Sequence, residues 1–274
     1  MADSLSSTRE ARSALGDATA VYAPTRWAGE GRSRIAVSPD GELVVRAGVG
    51  KITLWRGAEL TASPGTTVTI DPEGGAMTGV SLATAGGRTL LALSGANVAG
   101  IWDVTAEPAL LQAREGGGWT SAELSPDGRS AAFGHEEGRI ELVGLDDPGH
   151  PVAGPVIQTP TAAGDDPVSV LSLQFDGKGT LYAGGKGYTI WRWALGGAEP
   201  RALPPLKYAS ERAVLDMAIS PSGDQLAAGT YGRKAFRWRL GSGDPSPLKT
   251  LTPFVSNVLG VAFTRDGTKL LATG

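Results

Sequence analysis

Short apolar and alternating runs succeed one another in a fixed order along the chain. Each round begins with a run such as Ile35-Ala36-Val37, Ala122-Glu123-Leu124, Leu171-Ser172-Leu173-Gln174-Phe175, Met217-Ala218-Ile219 or Val261-Ala262-Phe263. A turn follows, then an apolar run that ends in small residues: Leu43-Val44-Val45, Leu90-Leu91-Ala92-Leu93, Ala131-Ala132-Phe133, Leu181-Tyr182-Ala183, Leu226-Ala227-Ala228 and Leu270-Leu271-Ala272. A second, glycine-bearing turn leads to a third run that commonly ends in tryptophan: Ile52-Thr53-Leu54-Trp55, Ile101-Trp102, Ile140-Glu141-Leu142-Val143, Ile190-Trp191-Arg192-Trp193 and Phe236-Arg237-Trp238. Runs of this length between turn residues predict antiparallel strands.

The first turn is the clearest marker of the repeat. Ser38-Pro39-Asp40-Gly41 returns as Ser125-Pro126-Asp127-Gly128, and more loosely as Ser220-Pro221-Ser222-Gly223 and Thr264-Arg265-Asp266-Gly267. Thr84-Ala85-Gly86-Gly87 and Asp176-Gly177-Lys178-Gly179 are degraded copies. Proline sets φ, aspartate bonds its own turn, and glycine takes positive φ. The last glycines stand at 41, 87, 128, 179, 223 and 267, a period of about 45 residues. One small sheet cannot bury both its faces, so such units stack, and four short strands per unit at this period predict a β-propeller blade.

These turns, the strand-ending tryptophans and the Trp102-Asp103 pair resemble the WD40-repeat family, in the degenerate form found in bacterial arrays. The stretch from Asp147-Pro148-Gly149-His150 to Pro155 is similar to the linkers of those arrays. The resemblance covers residues 20–274. It implies an all-β propeller of four-stranded antiparallel blades, five complete and a sixth partial. Seven blades would need about 315 residues, so a seven-blade ring truncated at its C-terminus is expected, with a chain built to continue or a closed six-blade ring as the alternatives. Residues 19–274 form this unit; 1–18 are expected as a tail or short helix, and 19–27 as a donated outer strand. The Gly-His pair usual before a blade is missing throughout, as is the aspartate usual before the third strand, with Asn97 and Glu137 as nearest substitutes. Stability must therefore lean on apolar packing between blades.

Composition narrows the chemistry. Forty glycines and eighteen prolines in 274 residues suit a turn-rich chain, and 41% hydrophobic residues suffice for a core. The absence of cysteine excludes disulfides and thiolate chemistry, and two histidines, His135 and His150, cannot build a multi-histidine metal site. A net charge of −3 gives no basic footprint for nucleic acid. There is no apolar run of signal-peptide or membrane-spanning length, so a cytoplasmic chain with no membrane partner is expected.

Candidate chemical motifs read mostly as structure. Gly184-Gly185-Lys186-Gly187 lacks the spacing and following helix of a phosphate loop and reads as a hairpin. Asp146-Asp147 and Asp165-Asp166 lack the ligand spacing of a calcium loop and read as turn caps. His135-Glu136-Glu137 is the one histidine–carboxylate cluster and falls in a turn. The segment 144–167 reads as a long connection between the third and fourth units. Arg233, Arg237 and Arg239 are expected on one face of a strand, either solvated or set against an acidic partner. Trp27 and Trp119 stand outside the strand-end set, as core packing or as partner anchors.

Function is expected at one end of the ring. The turns between second and third strands gather at a mouth, and the residues after the turn glycines, Val49, Ala96, His135, Lys186 and Thr230, differ in size and charge while the frame repeats. Variable tips on a rigid frame make recognition surfaces. The expectation is a non-catalytic scaffold or sensor of WD40 type, free of cofactor, that binds a protein or peptide through His135, Lys186, Thr230, Arg233 and Trp119. The alternatives are a propeller hydrolase or lactonase-type enzyme, and the sensor part of a larger signalling ATPase or kinase.

Overall fold

The computed structural model describes residues 34–57, 65–71, 75–160, 168–186, 188–197, 199–208, 212–241, 244–252 and 254–274. The expected tail or helix over 1–18, the outer strand over 19–27, Trp27 and Asp165-Asp166 lie outside them. Every element among the described residues is a strand. The first sheet holds β1 (Arg34–Val37), β2 (Leu43–Ala47), β3 (Lys51–Arg56) and β4 (Thr66–Thr69); the second holds β5 (Met77–Ala85), β6 (Arg88–Gly95), β7 (Ala99–Asp103) and β8 (Ala109–Ala113). The third is built from β9 (Trp119–Leu124), β10 (Ser130–His135), β11 (Arg139–Gly144) and β12 (Val152–Gln158), the fourth from β13 (Val170–Phe175), β14 (Thr180–Gly185), β15 (Thr189–Ala194) and β16 (Arg201–Lys207). The fifth comprises β17 (Val214–Ile219), β18 (Gln225–Thr230), β19 (Ala235–Arg239) and β20 (Ser246–Pro247), and a two-stranded sixth pairs β21 (Gly260–Phe263) with β22 (Leu270–Thr273). Each sheet is an antiparallel meander in chain order, as the repeat predicts. The segment 144–167 differs from expectation: it contains β12, whose exposed, proline-interrupted text hides an outer strand that needs only one neighbour.

The first turns form as their residues dictate. In the first, Ser38 O accepts from Gly41 N at 2.9 Å, Ser38 Oγ accepts from Leu43 N at 2.9 Å, and Asp40 accepts from Glu42 N at 3.0 Å, with Gly41 at φ +80°. Ser125-Pro126-Asp127-Gly128 repeats this set. In the fifth sheet Ser222 replaces the aspartate, and Asp224 takes over as acceptor for Ser220 Oγ at 2.8 Å.

The core is distributed between sheets. Five apolar clusters each join two consecutive sheets: Trp102 packs with Leu43, Val45 and Leu54; Trp193 with Leu142 and Ile157; Trp238 with Tyr182 and Ile190. The strand-ending tryptophans of one sheet thus cover the preceding one, which accounts for their position in the repeat.

First strands are the innermost, each in contact with the first strand of the next sheet. Gly134, Gly184 and Gly229 occupy the same ladder position, opposite Ser121, Ser172 and Asp216. Each faces a valine of the following sheet: a Cβ there would come within 2.7 Å of a Cγ1 of Val170, Val214 or Val258. These glycines are therefore required by close approach between sheets.

Polar bonds cross the same joints. Ser172 Oγ accepts from Met217 N at 3.0 Å, Ser81 Oγ from Leu124 N at 3.1 Å, and Asp216 Oδ2 from Val261 N at 2.8 Å, while Ser121 Oγ donates to Val170 O at 3.0 Å. Among the described residues, hydrogen bonds join neighbouring sheets and do not close the ring between the first sheet and the sixth.

Gly184→Val should separate the fourth and fifth sheets. We expect a loss of about 1–3 kcal/mol from overpacking, measured by urea unfolding; Gly196→Val, where a Cβ meets nothing, should cost far less.

Candidate functional site

One end of the stack is assembled from the second turns and the loops that enter each sheet. Their backbones are sewn together in succession: Gly50 N donates to Gly75 O at 2.9 Å, Gly118 N to Ala96 O at 3.1 Å, Glu136 N to Gly118 O at 2.9 Å, Lys186 N to Ser169 O at 3.3 Å, Tyr231 N to Ala213 O at 3.0 Å, and Val258 N to Thr230 O at 3.1 Å. This end is the mouth expected from the repeat.

The strand ladders revise which residues reach it. Met77 pairs with Gly95, Trp119 with His135, Val170 with Gly185 and Val214 with Thr230, each beside a one-residue bulge in the first strand. Gly95, His135, Gly185 and Thr230 are therefore equivalent. They are strand ends, and the tips one residue on are Ala96, Glu136, Lys186 and Tyr231, with Val49 at the corresponding place in the first sheet. Counting from a glycine placed His135 and Thr230 at tips because Gly134 and Gly229 belong to the strands. In a β ladder such a one-residue slip exchanges inside for outside.

His135 and Thr230 are accordingly interior: 5% and 0% exposed. His135 Nε2 bonds Gly117 O at 2.6 Å and Nδ1 accepts from Glu137 N at 3.1 Å, a pattern that sets the Nε2–H tautomer and ties the turn to the entering loop. Thr230 Oγ1 donates to Lys234 O at 2.9 Å and accepts from Gly232 N at 3.3 Å, closing its own turn. Trp119 is 1% exposed, lies edge-on to His135 and Phe133, carries the Arg139 guanidinium 5.1 Å from its ring centre, and donates Nε1–H to Gly116 O. It is core packing under the mouth, and the exposed-anchor reading of it does not hold. Lys186 and Arg233 are exposed. Arg233 sits in the turn before β19, so only Arg237 and Arg239 share a face of that strand. A shared strand face for all three arginines is ruled out because β19 starts at Ala235.

Two features had no direct signal in the sequence. Tyr188 and Arg233 occupy equivalent places in the fourth and fifth turns, both at φ +56°, where the third turn has Gly138 at +77°. Left-handed backbone costs an L-residue about 1–2 kcal/mol. Tyr188 and Tyr231 are also 51% and 56% exposed.

The second is a charged group near the axis. Asp216 is 3% exposed and accepts from Val261 N. Burial pushes its carboxyl up to about 7, opposed by the Arg34 cation and by the Val261 and Met217 amides. Burial also pushes Glu123 well above the carboxylate range, reinforced by Asp216 and opposed by the Ser81 hydroxyl. Arg34, Glu123 and Asp216 come from the first, third and fifth sheets, so their mutual influence reports convergence of the inner strands. Among the described residues no three His, Asp or Glu side chains gather as a metal site. Asp147 caps its own turn through Gly149 N and bonds His150, and Asp146 pairs with Arg129, so this aspartate pair acts as the turn reading expects.

Comparison with known proteins shows the fold. Solved structures similar to this chain include the WD40 repeats of RRP9 (TM-score 0.67, 16% identity, covering 87% of this chain and 71% of that one), U3-55K (0.68, 16%, 87% and 72%), and a chain of the mitotic checkpoint complex (0.70, 14%, 88% and 72%). The chain is an all-β propeller of WD40 type with five four-stranded sheets and a partial sixth. No protein-family model and no curated protein sequence matches it.

Asp216→Asn keeps an oxygen for Val261 N and removes the charge. A carboxyl raised in the folded state stabilises fully below its unfolded pKa and loses that contribution as pH climbs to the folded one. The parent chain should therefore lose stability between about pH 4 and pH 7 through this group. The variant should flatten that slope and gain up to about 4 kcal/mol at pH 8, read from melting curves across pH.

Proposed function

We propose that the chain is a non-catalytic interaction module whose mouth holds a partner protein or peptide. The observation that carries this reading is the set of tips at one ladder position: Val49, Ala96, Glu136, Lys186 and Tyr231 differ in size, polarity and charge and are all exposed, while the backbone bonds beneath them repeat. A frame that keeps its geometry and varies its outermost side chains presents a specific surface without a reaction centre. Similarity to a chain of the mitotic checkpoint complex supports a protein partner. Its role as scaffold or sensor, a cytoplasmic setting, and independence of cofactor, nucleic acid and membrane belong to the same proposal. Among the described residues no helix is long and apolar enough to cross a membrane.

The test is affinity capture with crosslinking and mass spectrometry. Tip variants Ala96→Arg, Glu136→Ala and Lys186→Ala should each weaken capture of a common partner several-fold while melting temperatures stay within about 2 °C of the parent. Arg129→Ala, on the opposite end beside Asp146, should leave capture unchanged. Equal capture by all tip variants would overturn the mouth assignment.

A further inference from the structure

The mouth is polarised in charge and in aromatic content. On the side of the third sheet its exposed groups include Glu115 and Glu136, with Glu137 held by Arg139 at 3.0 Å. On the side of the fourth and fifth sheets the exposed groups include Lys186, Tyr188, Arg212, Tyr231 and Arg233, with Glu211 beside Arg212 in the sequence. The loop entering the sixth sheet adds Val255, 99% exposed, beside the bond from Phe254 N to Arg233 O. Cations, two tyrosines and an aliphatic side chain thus face solvent together.

The backbone supplies a second, independent observation. Glycine would be the relaxed choice at residues 188 and 233, as Gly138 shows one sheet earlier. The chain instead holds a tyrosine and an arginine there, in a conformation that is a genuine outlier for a bulky side chain. Among the described residues neither side chain has a hydrogen-bond partner that would secure the fold in return, and Tyr188 projects half exposed. Strain of this kind gathers where a side chain's position serves recognition.

We propose that this sector, within the mouth assigned under the proposed function and resting on that reading, binds an acidic peptide segment carrying apolar anchors. Lys186 and Arg233 pair with its carboxylates; Tyr188, Tyr231 and Val255 receive its apolar side chains. Arginine beside tyrosine is the composition of interface hot spots. An extended nucleic acid is the poorer match, because a polyanion crossing the mouth would meet Glu115 and Glu136, and the whole chain is itself acidic at −3.

The experiment measures fluorescence anisotropy of the whole chain with three labelled probes: a peptide alternating glutamate and leucine, the same peptide with glutamine for glutamate, and a single-stranded oligonucleotide of equal length. The glutamate peptide should bind, weaken as salt rises, and exceed the other two by about tenfold in affinity. Tyr188→Gly and Arg233→Gly should each raise the melting temperature, by relieving the backbone, and lower affinity for that peptide about tenfold. Stabilised variants that bind as the parent does would overturn the proposal. So would an oligonucleotide preferred over the peptide, or a glutamine peptide that binds equally. If Ala96→Arg and Glu136→Ala abolish partner capture while the two glycine variants capture normally, this sector fails and the mouth reading stands. If none of these variants affects capture, both fail.

Discussion

The close approach of successive first strands is the constraint on which the molecule depends. Gly134, Gly184 and Gly229 leave room for a valine of the next sheet, and the hydroxyls of Ser81, Ser121 and Ser172 and the carboxyl of Asp216 meet backbone groups of that sheet. Inner strands brought this near must satisfy their polar groups across the joint, since little water remains there. The tryptophans and aliphatic clusters further out then fill the widening wedge between sheets. The fold thus rests on small residues at the hub and apolar side chains toward the rim.

Much of this architecture was legible because its signals are local. Pro-Asp-Gly turns, alternating runs and strand-ending tryptophans each report on a few adjacent residues, and all mark the elements they predict. Two parts were not legible. The outer strand Val152–Gln158 pairs on one side only and faces solvent, so selection for alternation is weak and proline is tolerated. The mouth residues were misplaced by one in the third and fifth sheets because a glycine looks the same whether it serves a turn or a tight joint. Only the valine it faces tells the two apart, and that valine lies about one repeat away in sequence.

The mouth shows how such a frame separates stability from recognition. His135, Thr230 and Trp119 are polar or aromatic residues near the surface, yet they hold turns in place and bury themselves under it. The neighbouring tips carry none of that duty and can differ freely. Tyr188 and Arg233 go further, holding a costly backbone state that a glycine would adopt without strain. Asp216 is a comparable tension at the hub, a carboxyl deprived of water and only partly compensated by Arg34 and two amides.

The bonds that stitch one sheet to the next span 43 residues at Ser81–Leu124 and 45 at both Ser172–Met217 and Asp216–Val261. Each joint is thereby completed as soon as the following first strand becomes available, without waiting for distant parts of the chain. During synthesis on the ribosome, the structure can lengthen vectorially, sheet upon sheet, with a single unpaired face exposed at the growing front.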